Sequence, residues 1–242
     1  MTLRLYIEGP LAAGLTLDLP PGPARHVQVR RAQPGDALML FDGRGGEWAA
    51  EVLQMGRQQV SVRVQAHHAV DREPALAVTL AVGMPANERM DWLVEKATEL
   101  GVAALQPLLT ERSVLRLAGE RAERKQAHWR GIAVAASEQS GRTQVPAVAP
   151  VMTLTAWLAA LGPAEATSAR WVLSPDAEPG TAQRPASGRL LALSGPEGGL
   201  APAELALAAT QGFTPVSLGP RILRADTAPL ALLAGLTCGL LT

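Results

Sequence analysis

Over the first 70 residues, apolar positions come in short, partly alternating runs at 37–41, 48–53 and 60–64. That is the period-2 signature of strands with one face turned inward. Turn residues separate the runs, at Gln33-Pro34-Gly35-Asp36 and Asp42-Gly43-Arg44-Gly45-Gly46, so the stretch reads as a small β-barrel. Past a polar linker at residues 67–74 the pattern changes. Leu76-Ala77-Val78-Thr79-Leu80-Ala81-Val82 is continuously apolar but for one Thr and predicts a strand buried on both faces. Asn87 stands where a helix cap belongs, Met90, Leu93, Val94, Ala97 and Leu100 recur on one helical face, and Gly101 ends the run. Residues 102–109 are strand-like again, interrupted by Pro107. Strand, helix, strand in this order predicts parallel pairing with helices packed on a sheet.

The same reading gives helices at 121–139, 153–161, 202–211 and 227–240, with strands at 170–173 and 189–193. Pro202 suits a first helical turn and Gly212 a stop. An Ala/Pro-rich loop covers 178–188. Late in the chain two glycine-rich turns, Ser194-Gly195-Pro196-Glu197-Gly198-Gly199 and Ser217-Leu218-Gly219-Pro220-Arg221-Ile222-Leu223-Arg224, each follow an apolar run and lead into a helix. Such turns expose backbone N–H groups at close range, which suits a polar small molecule. Two together would make one pocket.

Composition narrows what the pocket serves. The 242 residues suffice for one large domain or for a small domain joined to a larger one. Twenty-two basic residues balance 22 acidic ones, so attraction to a polyanion must come from local clustering rather than net charge. The clearest cluster is Arg112, Arg116, Arg121, Arg124, Lys125 and Arg130 against Glu120 and Glu123. Cys238, the lone cysteine, reads as a small buried hydrophobe in a reducing compartment. The N-terminal residues lack a signal-peptide core and the apolar run at 230–240 is too short to span a bilayer, so the expected location is cytoplasmic.

Alternative chemistries find no support. His26, His67, His68 and His128 lack metal-ligand spacing, and no metal site is expected. There is no phosphate-loop lysine motif and no Gly-x-Ser-x-Gly elbow.

Leu193 to Gly199, followed by Ser217 to Ala228, resembles the ribosomal RNA small subunit methyltransferase E family. The likeness covers the whole chain in order: Arg4 and Tyr6, residues 26–31 with Pro34-Gly35-Asp36, Arg89 to Gly101, Glu111-Arg112-Ser113, and Glu138-Gln139-Ser140-Gly141-Arg142 with Val145-Pro146. It implies an α/β protein with an N-terminal PUA-like, RNA-binding β-barrel (1–70) and a C-terminal SPOUT methyltransferase domain (75–242) that binds cofactor, dimerises and holds a deep trefoil knot. It implies a homodimer that uses S-adenosylmethionine to methylate N3 of a uridine in 16S ribosomal RNA, within the assembled small subunit. Two alternatives stay open: another SPOUT RNA methyltransferase, such as one acting on the ribose 2′-hydroxyl, and a non-catalytic RNA-binding assembly factor.

By position, the resemblance places cofactor in the loops Leu173-Ser174-Pro175, 194–199 and 217–227. The expected cofactor residues are Leu173, Ser174, Leu193, Gly195, Pro196, Glu197, Gly198, Leu218, Gly219, Ile222, Leu223, Arg224 and Thr227. Chemistry at uridine N3 requires loss of a weakly acidic proton and stabilisation of charge on O2 and O4, work suited to arginine. Arg224 is the first catalytic candidate, Arg221 the second and Arg142 the third, with Glu197 as a hydrogen-bond acceptor. Arg4, Arg25, Arg30, Arg31, Arg112, Arg116 and Arg124 are the expected RNA contacts, and the few aromatics argue against a stacking platform. The family stretch Arg-Thr-Glu-Thr-Ala reads Arg224-Ala225-Asp226-Thr227-Ala228 here, with Asp226 still able to cap a helix, and Ala201 replaces the usual capping hydroxyl. The apolar last helix is expected to be buried between two copies.

Overall fold

The computed structural model describes residues 2–57, 59–86, 88–165, 167–178, 183 and 185–238. The chain divides into two compact units, one of residues 1–73 with 137–145, the other of residues 74–136 with 146–242.

The first unit holds β1 (Leu3–Tyr6), β2 (Thr16–Asp18), β3 (Ala37–Phe41), β4 (Glu47–Met55) and β5 (Val60–His68), in the sheet order β1-β3-β4-β5-β2. Strands β1 and β3 run parallel and the remaining pairs antiparallel. The alternation read from the sequence does its work here, since Leu38, Leu40, Val52, Val60, Val62 and Val64 turn inward onto Leu5 and Val27. Val27 belongs to α1 (Pro21–Val29), a helix the turn-like run Pro20-Pro21-Gly22-Pro23 conceals. Proline is compatible with a first helical turn because the N–H groups there have no intrahelical partner. The linker also starts later than expected. His67 and His68 pair with Trp48 and Glu47 across β4 and β5, and the His67 ring lies 4.6 Å from the Trp48 ring.

Charged side chains tie residues 137–145 into this unit. The Arg4 Nη2 donates to Glu47 Oε2 at 2.9 Å and to the Arg142 carbonyl at 3.2 Å, and Arg72 reaches Glu47 at 3.1 Å. Burial by itself pushes the Glu47 carboxyl up, and Arg72 and Arg4 more than offset it, holding the group below the usual carboxylate range. Glu138 goes the other way. Burial raises its pKa, opposed by the Tyr6 N–H that donates at 2.9 Å and by His26 and Arg4. A carboxyl raised in the folded state binds more protons there than in the unfolded chain, so its contribution to stability falls as pH rises from the ordinary 4.5 through the folded value. Wild type should therefore lose stability relative to Glu138→Gln across that window. Urea unfolding of both proteins at a series of pH values reads this directly, and a flat difference would remove Glu138 as a titrating group.

The second unit carries β6 (Leu76–Gly83), α2 (Glu88–Glu99), β7 (Ala104–Leu109), β8 (Ala147–Val148), β9 (Met152–Thr153), α4 (Leu154–Ala160), β10 (Ser168–Leu173), β11 (Gly188–Ser194), α5 (Pro202–Thr210), β12 (Thr214–Val216) and α6 (Thr227–Thr237). Helix α3 (Gly119–Ser140) starts in this unit, and its last turn belongs to the first. The strands form a wholly parallel sheet in the order β12-β10-β11-β6-β7-β8, with β9 also on β7. The strand-helix-strand reading of residues 76–109 holds. The proposed Asn87 cap and the end of the last helix at Leu240 lie outside the described residues.

Pro107 is accommodated in a mid-sheet strand because the outer side of β7 is interrupted. Leu105 accepts from the Ala149 N–H at 2.9 Å, so the polar groups of 105 and, two residues on, 107 face that side. There β8 pairs as far as Leu105 and β9 resumes at Leu108. The missing N–H falls in the gap, where the Gln106 amide donates to the Pro107 and Pro150 carbonyls at 3.0 and 2.8 Å.

Leu154, Trp157, Leu158, Ala208 and Phe213 pack with Ala81, Leu108, Val172 and Leu193 of the sheet. Helix α6 packs on α2, β6 and β11, burying Pro229, Leu230, Leu232, Leu233 and Leu236 within the single chain. Cys238, expected to be buried, is exposed at the end of α6. Asp226 occupies the cap position without a side-chain cap bond, since its backbone is already helical. Glu204 compensates for Ala201 at the start of α5 by accepting from the Ala201 N–H at 2.8 Å.

Candidate active-site cleft

In a parallel sheet, ligands bind beyond the carboxyl ends of the strands where the strand order reverses. Here the chain runs outward from β6 to β7 and β8, then returns to build β11, β10 and β12 on the other side of β6. Beyond the ends of β10, β11 and β12 lies a cleft of about 520 Å³, lined by Leu173 to Asp176, by 194–197 with 199 and 200, and by Val216 and Leu218 to Ala225 except Pro220. Both glycine turns face it. A Cβ on Gly195 would lie 2.9 Å from the Gly199 and Leu200 backbone, so the first turn closes on itself only with glycine there. Gly219, at φ 101°, lets the second turn reverse.

Of the expected cofactor residues, Leu173, Ser174, Gly195, Pro196, Glu197, Leu218, Gly219, Ile222, Leu223 and Arg224 line the cleft. Leu193 does not, because its side chain belongs to the core. Gly198 stands just behind the lining, its carbonyl accepting from Arg112 at 2.9 Å. Thr227 begins α6 and donates its N–H to the Arg224 carbonyl at 2.9 Å.

The charged candidates separate clearly. Arg221 and Arg224 line the cleft, are exposed, and their guanidinium groups make no hydrogen bond or ion pair with the described residues. Glu197 is engaged, accepting from the Ala86 N–H at 3.2 Å with Arg89 at 3.6 Å, and so braces its turn. Arg142 belongs to the other unit, is 6% exposed, and is bonded through Nε and Nη2 to the Glu73 carboxylate. Among the expected RNA contacts, Arg25, Arg30, Arg31, Arg112, Arg116 and Arg124 are exposed. Arg4 is turned inward, paired with Glu47 and stacked over Phe41 at 5.0 Å. Arg89 and Asp176 also line the cleft, beyond the residues expected there from the sequence. Asp176 follows the named Ser174-Pro175 turn, a signal that was there to use. Among the described residues no group of three His, Cys, Asp or Glu could hold a metal, and no helix is long and apolar enough to cross a membrane.

A parallel α/β sheet with a glycine-walled cleft, joined to a small mostly antiparallel sheet unit, defines a class: residues 72–237 match the RNA methyltransferase domain, and residues 24–70 the RNA methyltransferase PUA domain. The ribosomal RNA small subunit methyltransferase E of Synechocystis is 35% identical over 240 residues, 97% of this chain and 77% of that protein. The Bacillus subtilis protein of that name is 32% identical over 217 residues, 87% of this chain and 85% of its own. The crystal structure of the Neisseria gonorrhoeae protein, bound to S-adenosylmethionine, superposes with a TM-score of 0.89 at 34% identity, covering 97% of this chain and 96% of that one. The chain belongs to the ribosomal RNA small subunit methyltransferase E family.

Proposed function

We propose that this protein transfers the methyl group of S-adenosylmethionine to N3 of a uridine in 16S ribosomal RNA of the small subunit. The observation that carries the reading is the cleft walled by Gly195 and Gly219, in a chain whose relative binds S-adenosylmethionine. The fit is physical. The volume suits a nucleoside-sized ligand, and Leu173, Leu218, Ile222 and Leu223 offer apolar cover on its rim, with Ile222 left 87% exposed within the chain. Once bound, the cofactor supplies an electrophilic methyl on a positively charged sulfur.

The chain's own residues do the rest. Leu218 and Leu223 would cover the adenine faces, and backbone groups of their turns would read its edge. Arg224, with Arg221 beside it, would stabilise the negative charge that grows on uridine O2 and O4 as the N3 proton passes to solvent water. Arg142 and Glu197 hold structure, the former through Glu73 and the latter through Ala86 and Arg89.

The first 70 residues serve RNA binding, through Arg25, Arg30 and Arg31, and residues 75–242 cofactor binding and dimerisation. Two features of α6 support the finer family traits. Its chain leaves β12 at one sheet edge and returns to pack on β6 and β11, the kind of crossing a deep trefoil knot requires. Its outward residues Ala231, Gly235 and Cys238 are small and exposed, suited to a second copy of the helix. A monomeric mass in sedimentation would count against the homodimer.

The deciding experiment incubates the protein with S-adenosylmethionine and small ribosomal subunits lacking the modification, then identifies the methylated nucleoside by mass spectrometry. N3-methyluridine is expected. A 2′-O-methylated nucleoside would replace the acceptor, and no cofactor binding at all would leave an RNA-binding assembly factor. Gly195→Ala should weaken S-adenosylmethionine binding about tenfold by calorimetry, because the turn must open to seat the methyl, a loss near 1.4 kcal/mol.

A further inference from the structure

The cleft carries more positive charge than its cofactor calls for. S-adenosylmethionine brings a sulfonium and an ammonium against one carboxylate and has no phosphate. Yet Arg89, Arg112, Arg221 and Arg224 line the cleft, and among the described residues the acids that line it with them are Glu197 and Asp176. Arginines gathered round a cationic ligand repel it unless an anion joins the complex. The surplus therefore points to the acceptor.

The segment leaving the cleft mouth repeats the theme. From 112 to 117 burial alternates strictly: Arg112, Val114 and Arg116 face out, while Ser113, Leu115 and Leu117 are buried. Val114 is 75% exposed, far beyond what packing between buried neighbours requires. Each arginine is held without being used up. Arg112 donates one Nη1 hydrogen bond to the Gly198 carbonyl at 2.9 Å, Arg116 one from Nη2 to the Glu111 carbonyl at 3.1 Å, and Arg89 stands 3.6 Å from Glu197. Oriented guanidinium groups with N–H donors to spare are suited to phosphate. The Glu111 carboxylate is the one acid in residues 111–117.

We propose that Arg89, Arg112 and Arg116, with Val114 between the last two, form a lip that grips the phosphates of the RNA strand flanking the target nucleotide. Val114 covers a base or ribose face there. The inference rests on the reading of the cleft as an RNA methyltransferase site and assigns its strand-entry side.

Phosphate contacts are independent of sequence, so a short, fluorescently labelled single-stranded RNA containing uridine is a sufficient probe. Affinity is read by anisotropy over a salt series, and S-adenosylmethionine affinity is measured in the same preparations. Each lost contact lowers the log–log salt slope by about 0.7, so Arg89→Gln/Arg116→Gln should lower it by about 1.4. Val114→Asp should weaken RNA binding about fivefold by placing a negative charge among the phosphates. It also decides the matter if the double variant fails to fold. An unchanged slope in a protein that still methylates ribosomal subunits overturns the lip and leaves the methyltransferase standing. A wild-type protein that binds neither RNA nor cofactor overturns both. If Val114→Asp alters sedimentation but not RNA affinity, the lip is a contact between copies and the proposal fails.

Discussion

Arg224→Ala should lower kcat for methyl transfer about 10²- to 10³-fold, the loss expected when one preorganised donor to a developing oxyanion is removed. S-adenosylmethionine affinity should change little by comparison. Arg224 is better anchored than Arg221. The Arg224 carbonyl accepts from the Thr227 and Ala228 N–H groups, both at 2.9 Å, so its backbone is fixed to the first turn of α6. Arg221 lies three residues earlier in the loop without such bonds to the helix. A backbone fixed at a helix start narrows the range its side chain must search, and a donor that reorganises less is worth more in the transition state. Single-turnover kinetics on small subunits, with cofactor affinity from calorimetry, separates the cases. If kcat holds while cofactor binding collapses, Arg224 is a ligand of the cofactor. If Arg221→Ala costs more, the assignment within the pair reverses.

What was legible in the sequence was whatever depends on neighbours along the chain. The strand at Leu76–Gly83, the helix at Glu88–Glu99 and the parallel sheet they imply follow from local periodicity and hold in the structure. The glycine turns were legible because a backbone reversal demands a particular residue, as Gly219 shows at φ 101°. The rest was hidden in partners distant in sequence. Arg4, Arg142 and Arg25 look alike in a string of letters. Only the fold gives Arg4 its Glu47 and Arg142 its Glu73, leaving Arg25 in solvent. His67 and His68 read as linker because nothing local shows that β4 runs nine residues and pairs with them. Arg89 opens a helix with an ordinary amphipathic pattern, and its place at the cleft comes from Glu197, more than a hundred residues on.

The Arg142–Glu73 pair accordingly makes a prediction opposite in kind to that for Arg224. Both side chains are nearly buried, at 7% and 12% exposure, and Glu73 also accepts the Thr143 N–H at 3.3 Å. Removing Glu73 takes the bidentate carboxylate from a guanidinium held in a poorly solvated place, a loss of about 3–5 kcal/mol for a buried pair. Glu73→Ala should therefore lower the midpoint of thermal unfolding by roughly 10 °C. At a temperature where the variant remains folded, kcat should stay near that of wild type. Replacing both charges, as in Glu73→Leu/Arg142→Met, should recover most of the loss, because apolar side chains of similar volume carry no desolvation cost. That recovery is the sharp part of the test. A catalytic arginine cannot be exchanged for methionine and retain turnover, whereas a structural one can, so full stability with kcat reduced a hundredfold in the double variant would return Arg142 to the chemistry.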